Sequence, residues 1–109
     1  MIGEKIAQDY LQKKGYKILK TNYYTIRGEI DIIAQYNKCI IFVEVKTRTN
    51  NHYGTPAMAV NFDKKQHIKT SAKIFLQLEH LYGKEIRFDV IEILIKNGKY
   101  YINHIKSIM

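Results

Sequence analysis

The chain has 109 residues, with 46% hydrophobic residues and one proline. That is close to the commonest size for one domain and excludes a disordered polymer. The lone Cys39 excludes an internal disulfide, and His52, His67, His80 and His104 are too scattered for a zinc site, so the histidines read as surface or packing residues. Eighteen Lys and Arg against ten Asp and Glu give a net charge of +8; with no block of consecutive basic residues and no amphipathic arm, this favours nucleic acid over a membrane surface.

The first residues lack the basic-then-apolar pattern of a signal peptide, and the longest apolar run, Cys39 to Val43, is too short to span a bilayer. One cytoplasmic domain over residues 1–109 is the expectation. From Gly3 to Lys14, Ile6, Ala7, Tyr10 and Leu11 fall on one helical arc, and Gly15 is a natural stop. Glu4 projects at the edge of that arc beside Ala7 and Leu11. It either reaches the sheet or is a first-turn glutamate that favours the helix dipole.

Tyr16 to Tyr24 reads as a strand, and Thr25 to Gly28 as a turn in which Gly28 permits a tight reversal. Arg27 in that turn is a candidate phosphate contact or a solvated side chain. Next come two β-branched runs, Glu29 to Ala34 and Cys39 to Lys46, joined through Tyr36-Asn37-Lys38. A turn centred between Asn37 and Lys38 places Asp31 opposite Glu44 and Glu29 opposite Lys46. Like charges so paired, with Cβ atoms roughly 4.5–5.5 Å apart, repel, and a divalent cation converts that repulsion into coordination. Carboxylate oxygens suit Mg²⁺, which also keeps waters and takes substrate phosphate. Lys46 is then placed to hold or deprotonate an attacking water. The competing reading is a salt-bridge cluster at a hairpin end. The nearly wholly apolar flanks favour the functional one, because charges embedded in such runs are paired or metal-bound.

Thr47 to Phe62 reads as a polar loop leaving the strand end that bears these acids. It carries Arg48, the candidate contacts His52 and Tyr53, and a short helical turn opened by Thr55-Pro56 and running through Val60. Asp63 to Tyr82 is the long helix, capped by Asp63, buried along Ile68, Ala72, Phe75 and Tyr82, and stopped by Gly83. Lys65, Lys69 and Lys73 border its apolar stripe as a cationic ridge or a solvated face. Two strands, Glu85 to Ile95 and Lys99 to Ile105, close the chain around Asn97-Gly98, the strongest hairpin signal present. Arg87 and Asp89 alternate with Phe88 and form a structural pair on the opposite face. The result is an α/β domain of order α-β-β-β-α-β-β, a mixed sheet flanked by helices.

Gly28-Glu29-Ile30-Asp31-Ile32-Ile33, Phe42-Val43-Glu44-Val45-Lys46-Thr47-Arg48 and Arg87-Phe88-Asp89-Val90 together resemble the YraN-like family of small bacterial proteins. Gly3-Glu4, Asn22-Tyr23, Gly54-Thr55-Pro56, Ala59-Val60 and Lys64 extend the match over nearly the whole chain; Met58 departs from it. The resemblance implies a restriction-endonuclease-like fold similar to archaeal Holliday-junction resolvases. It also implies Glu4 as a helix acid, Asp31 and Glu44 as metal ligands assisted by the Val45 carbonyl, Lys46 as the catalytic lysine and Glu29 as an accessory acid. The expected activity is Mg²⁺- or Mn²⁺-dependent hydrolysis of DNA phosphodiesters, including branched repair or recombination intermediates. Arg27, Arg48, Lys64, Lys65, Lys69 and Lys73 are the candidate nucleic-acid contacts, and a homodimer is expected by analogy. The alternative is a non-catalytic nucleic-acid-binding module of a repair or recombination assembly.

Overall fold

Ile32, Ala34, Ile41 and Val43 alternate with Ile33, Ile40 and Phe42, so the central hairpin has two apolar faces and needs cover on both. In the computed structural model, which describes residues 2–49 and 62–109, two helices supply it. The order is α1 (Ile2–Lys13), β1 (Lys17–Thr25), β2 (Gly28–Tyr36), β3 (Cys39–Thr49), α2 (Phe62–Leu78), β4 (Glu85–Lys96) and β5 (Lys99–Ile105). The five strands lie in the order β1-β2-β3-β4-β5. Every neighbouring pair is antiparallel except β3 and β4. A parallel pair needs a long crossover, and the connection that contains α2 provides it.

α1 lays Ala7 and Leu11 on Ile32, Ala34, Ile41, Val43, Ile91 and Ile93. α2 lays Ile68, Ala72 and Phe75 on Ile30, Ile33, Ile40, Phe42 and Phe88. Phe75 meets Phe42 and Tyr23 edge-on, the arrangement that ring quadrupoles favour. The Thr25 and Ser71 hydroxyls, 2.7 Å apart, tie the β1–β2 turn to α2. No helix among the described residues is long and apolar enough to cross a membrane.

α1 ends as expected, with Gly15 left-handed at φ 94°. The Tyr16 amide donates to the Leu11 carbonyl and the Gly15 amide to the Gln12 carbonyl, which satisfies otherwise orphaned acceptors. α2 departs from expectation. It stops at Leu78, because His80 takes the left-handed role at φ 55° while Leu81 N–H donates to Leu76 O and His80 N–H to Gln77 O. Tyr82 therefore lies beyond the helix and is 69% exposed instead of joining the buried stripe. α2 starts at Phe62, which places Asp63 in its first turn. The expected helical turn from Thr55-Pro56 to Val60, His52, Tyr53 and Met58 lie outside the described residues.

The opposite-face pairing of Arg87 and Asp89 is present as part of a larger network. Asp89, whose side chain is fully buried, accepts from Arg87 Nε at 2.9 Å, Arg87 Nη2 at 2.8 Å and the Ser107 amide at 3.1 Å. His104 Nε2 lies 2.7 Å from it and must donate, since a carboxylate only accepts. Arg87 Nη2 also donates to Tyr16 Oη, and Tyr10 Oη pairs with His104 Nδ1. β4, β5, α1 and the chain end are thus tied to one carboxylate. Burial alone would raise its pKa, but the bonds from His104, Arg87 and Ser107 outweigh that and hold it below the ordinary value.

Two measurements follow from this packing. His80→Gly relieves a side chain of the left-handed strain that glycine tolerates, so urea unfolding should show stabilisation of up to about 1 kcal/mol. Because folding lowers the Asp89 pKa, its stabilisation is complete above the unfolded value of about 4 and is lost as pH falls through the folded value. Asp89→Asn should cost about 3–5 kcal/mol at neutral pH by stranding Arg87, and should flatten the acid limb of the stability profile.

Candidate functional site

β2 changes its facing at Asp31. Ile32 and Ala34 pack under α1, whereas Ile33 and, two residues before Ile32, Ile30 both pack under α2. A regular strand would have placed Ile30 with Ile32. The β1–β2 ladder pairs Thr21 with Ile32 and Tyr23 with Ile30, and between them Asn22 turns left-handed at φ 49°. On the other edge, the register expected from the turn holds from Tyr36–Cys39 to Ile32–Val43 and ends there. Asp31–Glu44 and Glu29–Lys46, expected as the next pairs, are not ladder pairs. Instead Asp31 Oδ2 accepts the Val45 N–H at 2.8 Å, so a carboxylate fills the place of a strand carbonyl and the two strands part around it.

Glu4 enters this opening from α1. Gly3, buried in the helix, lies so close to β3 that an added Cβ would overlap the Thr47 hydroxyl and stand 3.2 Å from the Thr47 Cβ. The missing side chain lets the N-terminus of α1 sit on the strand and puts Glu4 beside β2. One oxygen each from Glu4, Glu29 and Asp31 then lies within 4.8 Å of the others. Burial pushes the Asp31 carboxyl up to about 7; a hydrogen bond with Glu29 and the fields of Glu4 and Glu44 add to the rise, and the Val45 amide opposes it. Tyr24, paired with Glu29 across β1 and β2, hydrogen-bonds that carboxylate, and its phenol is raised by that bond first. Tyr24 is a rim residue that the sequence reading passed over, although the tight turn before Gly28 sets its position opposite Glu29.

Glu44 stands outside this group of three. Its side chain is 12% exposed, with Oε1 ion-paired to Lys64 of α2, and its Oε2 is buried without a hydrogen-bond partner among the described residues. Of the acids expected from resemblance to hold a metal, Asp31 belongs to the converging group with Glu4 and Glu29, and Glu44 lies outside it. Val45 contributes its amide, to Asp31. Half-buried Lys46 follows two residues after Glu44 on β3. Glu29, Asp31 and Glu44 share a crevice with Asp89 and the apolar side chains of Ile30, Phe42, Ile68, Phe88, Ile108 and Met109.

The candidate cations occupy different surroundings. Arg27 is exposed in the β1–β2 turn, its amide donating to Thr25 Oγ1. It borders a groove of about 350 Å³ between that turn and Lys64, His67 and Ser71 of α2. Lys69 and Lys73 are exposed and Lys65 is half-buried on α2. Arg48 is held by Glu92 of β4 at 2.6 Å.

Asp31 provides a test that needs no substrate. Its folded pKa of about 7 exceeds the unfolded value of about 4, so without divalent cation the fold loses stability as pH rises from about 4 through 7. Asp31→Asn, whose amide oxygen can still accept the Val45 N–H, removes that loss. At pH 8 in chelator it should be more stable than the parent by on the order of 1 kcal/mol, allowing for solvent screening of a partly exposed group, and equal to or less stable than the parent at pH 4. Thermal unfolding across pH reads the crossover.

Comparison with known proteins finds a match of residues 3–93 to the model of "Uncharacterised protein family UPF0102". Over 109 residues the chain is 48% identical to a UPF0102 protein of Alkaliphilus oremlandii, covering 97% of this chain and 92% of the relative. A Caldicellulosiruptor bescii UPF0102 protein is 50% identical over 108 residues, 96% and 91% of the two chains. Another, from Syntrophomonas wolfei, is 45% identical over 103 residues, 94% and 90%. With the match running through α1, the parted hairpin and most of β4, the chain belongs to the UPF0102, or YraN-like, family.

Proposed function

We propose that this protein is a divalent-cation-dependent endonuclease of the cytoplasm that hydrolyses DNA phosphodiesters, with branched repair or recombination intermediates as its substrates. The observation that carries this reading is the convergence of Glu4, Glu29 and Asp31 within 4.8 Å from a helix and a parted strand. Carboxylates gathered against their mutual repulsion, with Asp31 also desolvated by burial, suit a hard cation with oxygen ligands. Glu44 Oε2, buried without a hydrogen-bond partner among the described residues, and the resemblance to restriction-endonuclease-like nucleases support the same reading.

Glu4, Glu29 and Asp31 would hold Mg²⁺ or Mn²⁺, with Glu44 joining them once Lys64 releases it. A bound cation supplies the charge that makes water a nucleophile near neutral pH and offsets the negative charge of the phosphate. The protein groups do the remaining work. The Val45 amide fixes Asp31, Lys46 orients the attacking water and stabilises developing charge, and Lys64 is placed to trade Glu44 for a substrate phosphate. Arg27 and Lys64 border the groove beside Glu29, and with Lys65, Lys69 and Lys73 they are the proposed phosphate contacts, which position a strand without reading its sequence.

The test is cleavage of labelled single-stranded, duplex, flapped and four-way-junction DNAs with Mg²⁺ or Mn²⁺. Metal-dependent cutting is expected, lowered at least about 100-fold by Glu44→Ala or Lys46→Ala. Equal inertness of parent and variants that still bind DNA in a salt-sensitive way would replace this reading with the nucleic-acid-binding module.

A further inference from the structure

At the far end of α1 from Glu4, a further cavity of about 200 Å³ opens between Tyr10, Lys14, Tyr16, Tyr36, Arg87, His104 and Lys106. Ten residues separate Glu4 from Lys14, about 15 Å along a helix, so this cavity and the acidic group are separate places. Its charge is one-sided: among the described residues Lys14, Arg87 and Lys106 line it and no acid does. The nearest carboxylate, Asp89, lies behind the wall, already accepting from Arg87, His104 and the Ser107 amide.

The cavity is also pre-organised. Asp89 and Tyr16 Oη hold Arg87 through Nε and Nη2, and Nη1 makes no hydrogen bond among the described residues. An anchored guanidinium with donors to spare loses little freedom when it binds an oxyanion. Tyr16 and Tyr36 stack at 4.6 Å with an interplanar angle of 26°; Tyr16 is buried and Tyr36 is 39% exposed, so Tyr36 is the member of the stack that a ligand can meet. At about 200 Å³ the cavity has room for several waters. That accommodates a phosphate and a ring edge but does not enclose a strand.

We propose that this cavity is a second, metal-independent binding site for a nucleoside phosphate, with Lys14, Arg87 and Lys106 on the phosphate and the Tyr16–Tyr36 stack against the base. Charge-assisted bonds to the oxyanion and stacking on an aromatic platform are the two contacts that together select a nucleotide over a bare anion or a bare base. The phosphate could be that of a free mononucleotide or of the 5′ end of a strand, and both present the same group.

The experiment titrates the full chain in chelator with 5′-AMP, adenosine and inorganic phosphate by calorimetry, and maps the bound state by NMR shifts. 5′-AMP should bind at least about tenfold more tightly than either fragment, shifting Tyr16, Tyr36 and His104 signals. Replacing exposed Lys14 and Lys106 together by Ala should weaken it at least about tenfold with an unchanged melting temperature, while Glu29→Ala leaves it intact. Competition by 5′-phosphorylated but not 5′-hydroxyl oligonucleotide would assign the site to a strand end; competition by neither would assign it to the free nucleotide. Equal affinity for adenosine and 5′-AMP, no binding of 5′-AMP, or full affinity in the double variant would overturn the proposal. Because the assay excludes divalent cations and uses no cleavage, it stands or falls apart from the nuclease reading.

Discussion

Where β2 and β3 separate, the Asp31 carboxylate takes the Val45 amide at 2.8 Å, and the acidic site depends on that bond. A hairpin that continued its ladder would have used a backbone carbonyl there and closed the gap. A side-chain acceptor satisfies the amide equally well while holding the strands apart, which leaves room for Glu29 and for Glu4 from α1. One amide bond is too little to offset burial among three other acids. The balance falls on the side of a proton, and the carboxyl is raised to about 7.

The contrast with Asp89 shows what decides the state of a buried acid in this fold. Both aspartates lie in β-strands under α1 or at its edge. Asp89 is met by a guanidinium, an imidazole and an amide, and its pKa falls despite burial. Asp31 is met by one amide and surrounded by Glu4, Glu29 and Glu44, and its pKa rises. Donor supply separates the two, in the way hydrogen bonds to the charged form offset desolvation. The first acid is a fastening for strands, helix and chain end. The second is held at a cost to the fold, which the cation proposed above would offset.

The sheet topology puts these parts within reach of one another. The parallel β3–β4 pair requires a crossover, so α2 lies on the face opposite α1 and carries Lys64 to Glu44. α1 can approach β3 only because position 3 has no side chain to meet Thr47. The acids thus come from β2, β3 and a helix, whereas the cation on Glu44 comes from the other layer.

Much of this was legible in the residues themselves because it is local. The β-branched runs around Asn37-Lys38 determined the register from Tyr36–Cys39 to Ile32–Val43, Gly15 marked the end of α1, and Asn97-Gly98 turned β4 into β5. The helical arc of α1 put Glu4 at the edge of its buried face, which left open whether it reached the sheet or only favoured the helix dipole. What local pattern could not reach was the break in that pattern. Period-two alternation assumes an uninterrupted ladder, so it extended the pairing to Asp31–Glu44 and on to Glu29–Lys46, whereas the ladder ends at Ile32–Val43 and a bond between side chain and amide takes over. His80, which a glycine-based rule passes over, ended α2 and left Tyr82 in solvent. The Lys64–Glu44 ion pair and the gathering of Tyr10, Arg87, Asp89 and His104 join residues far apart in the chain. The sequence alone determined which strands and helices form; tertiary packing decided which charges meet, because charge pairing depends on distances across layers that no local periodicity encodes.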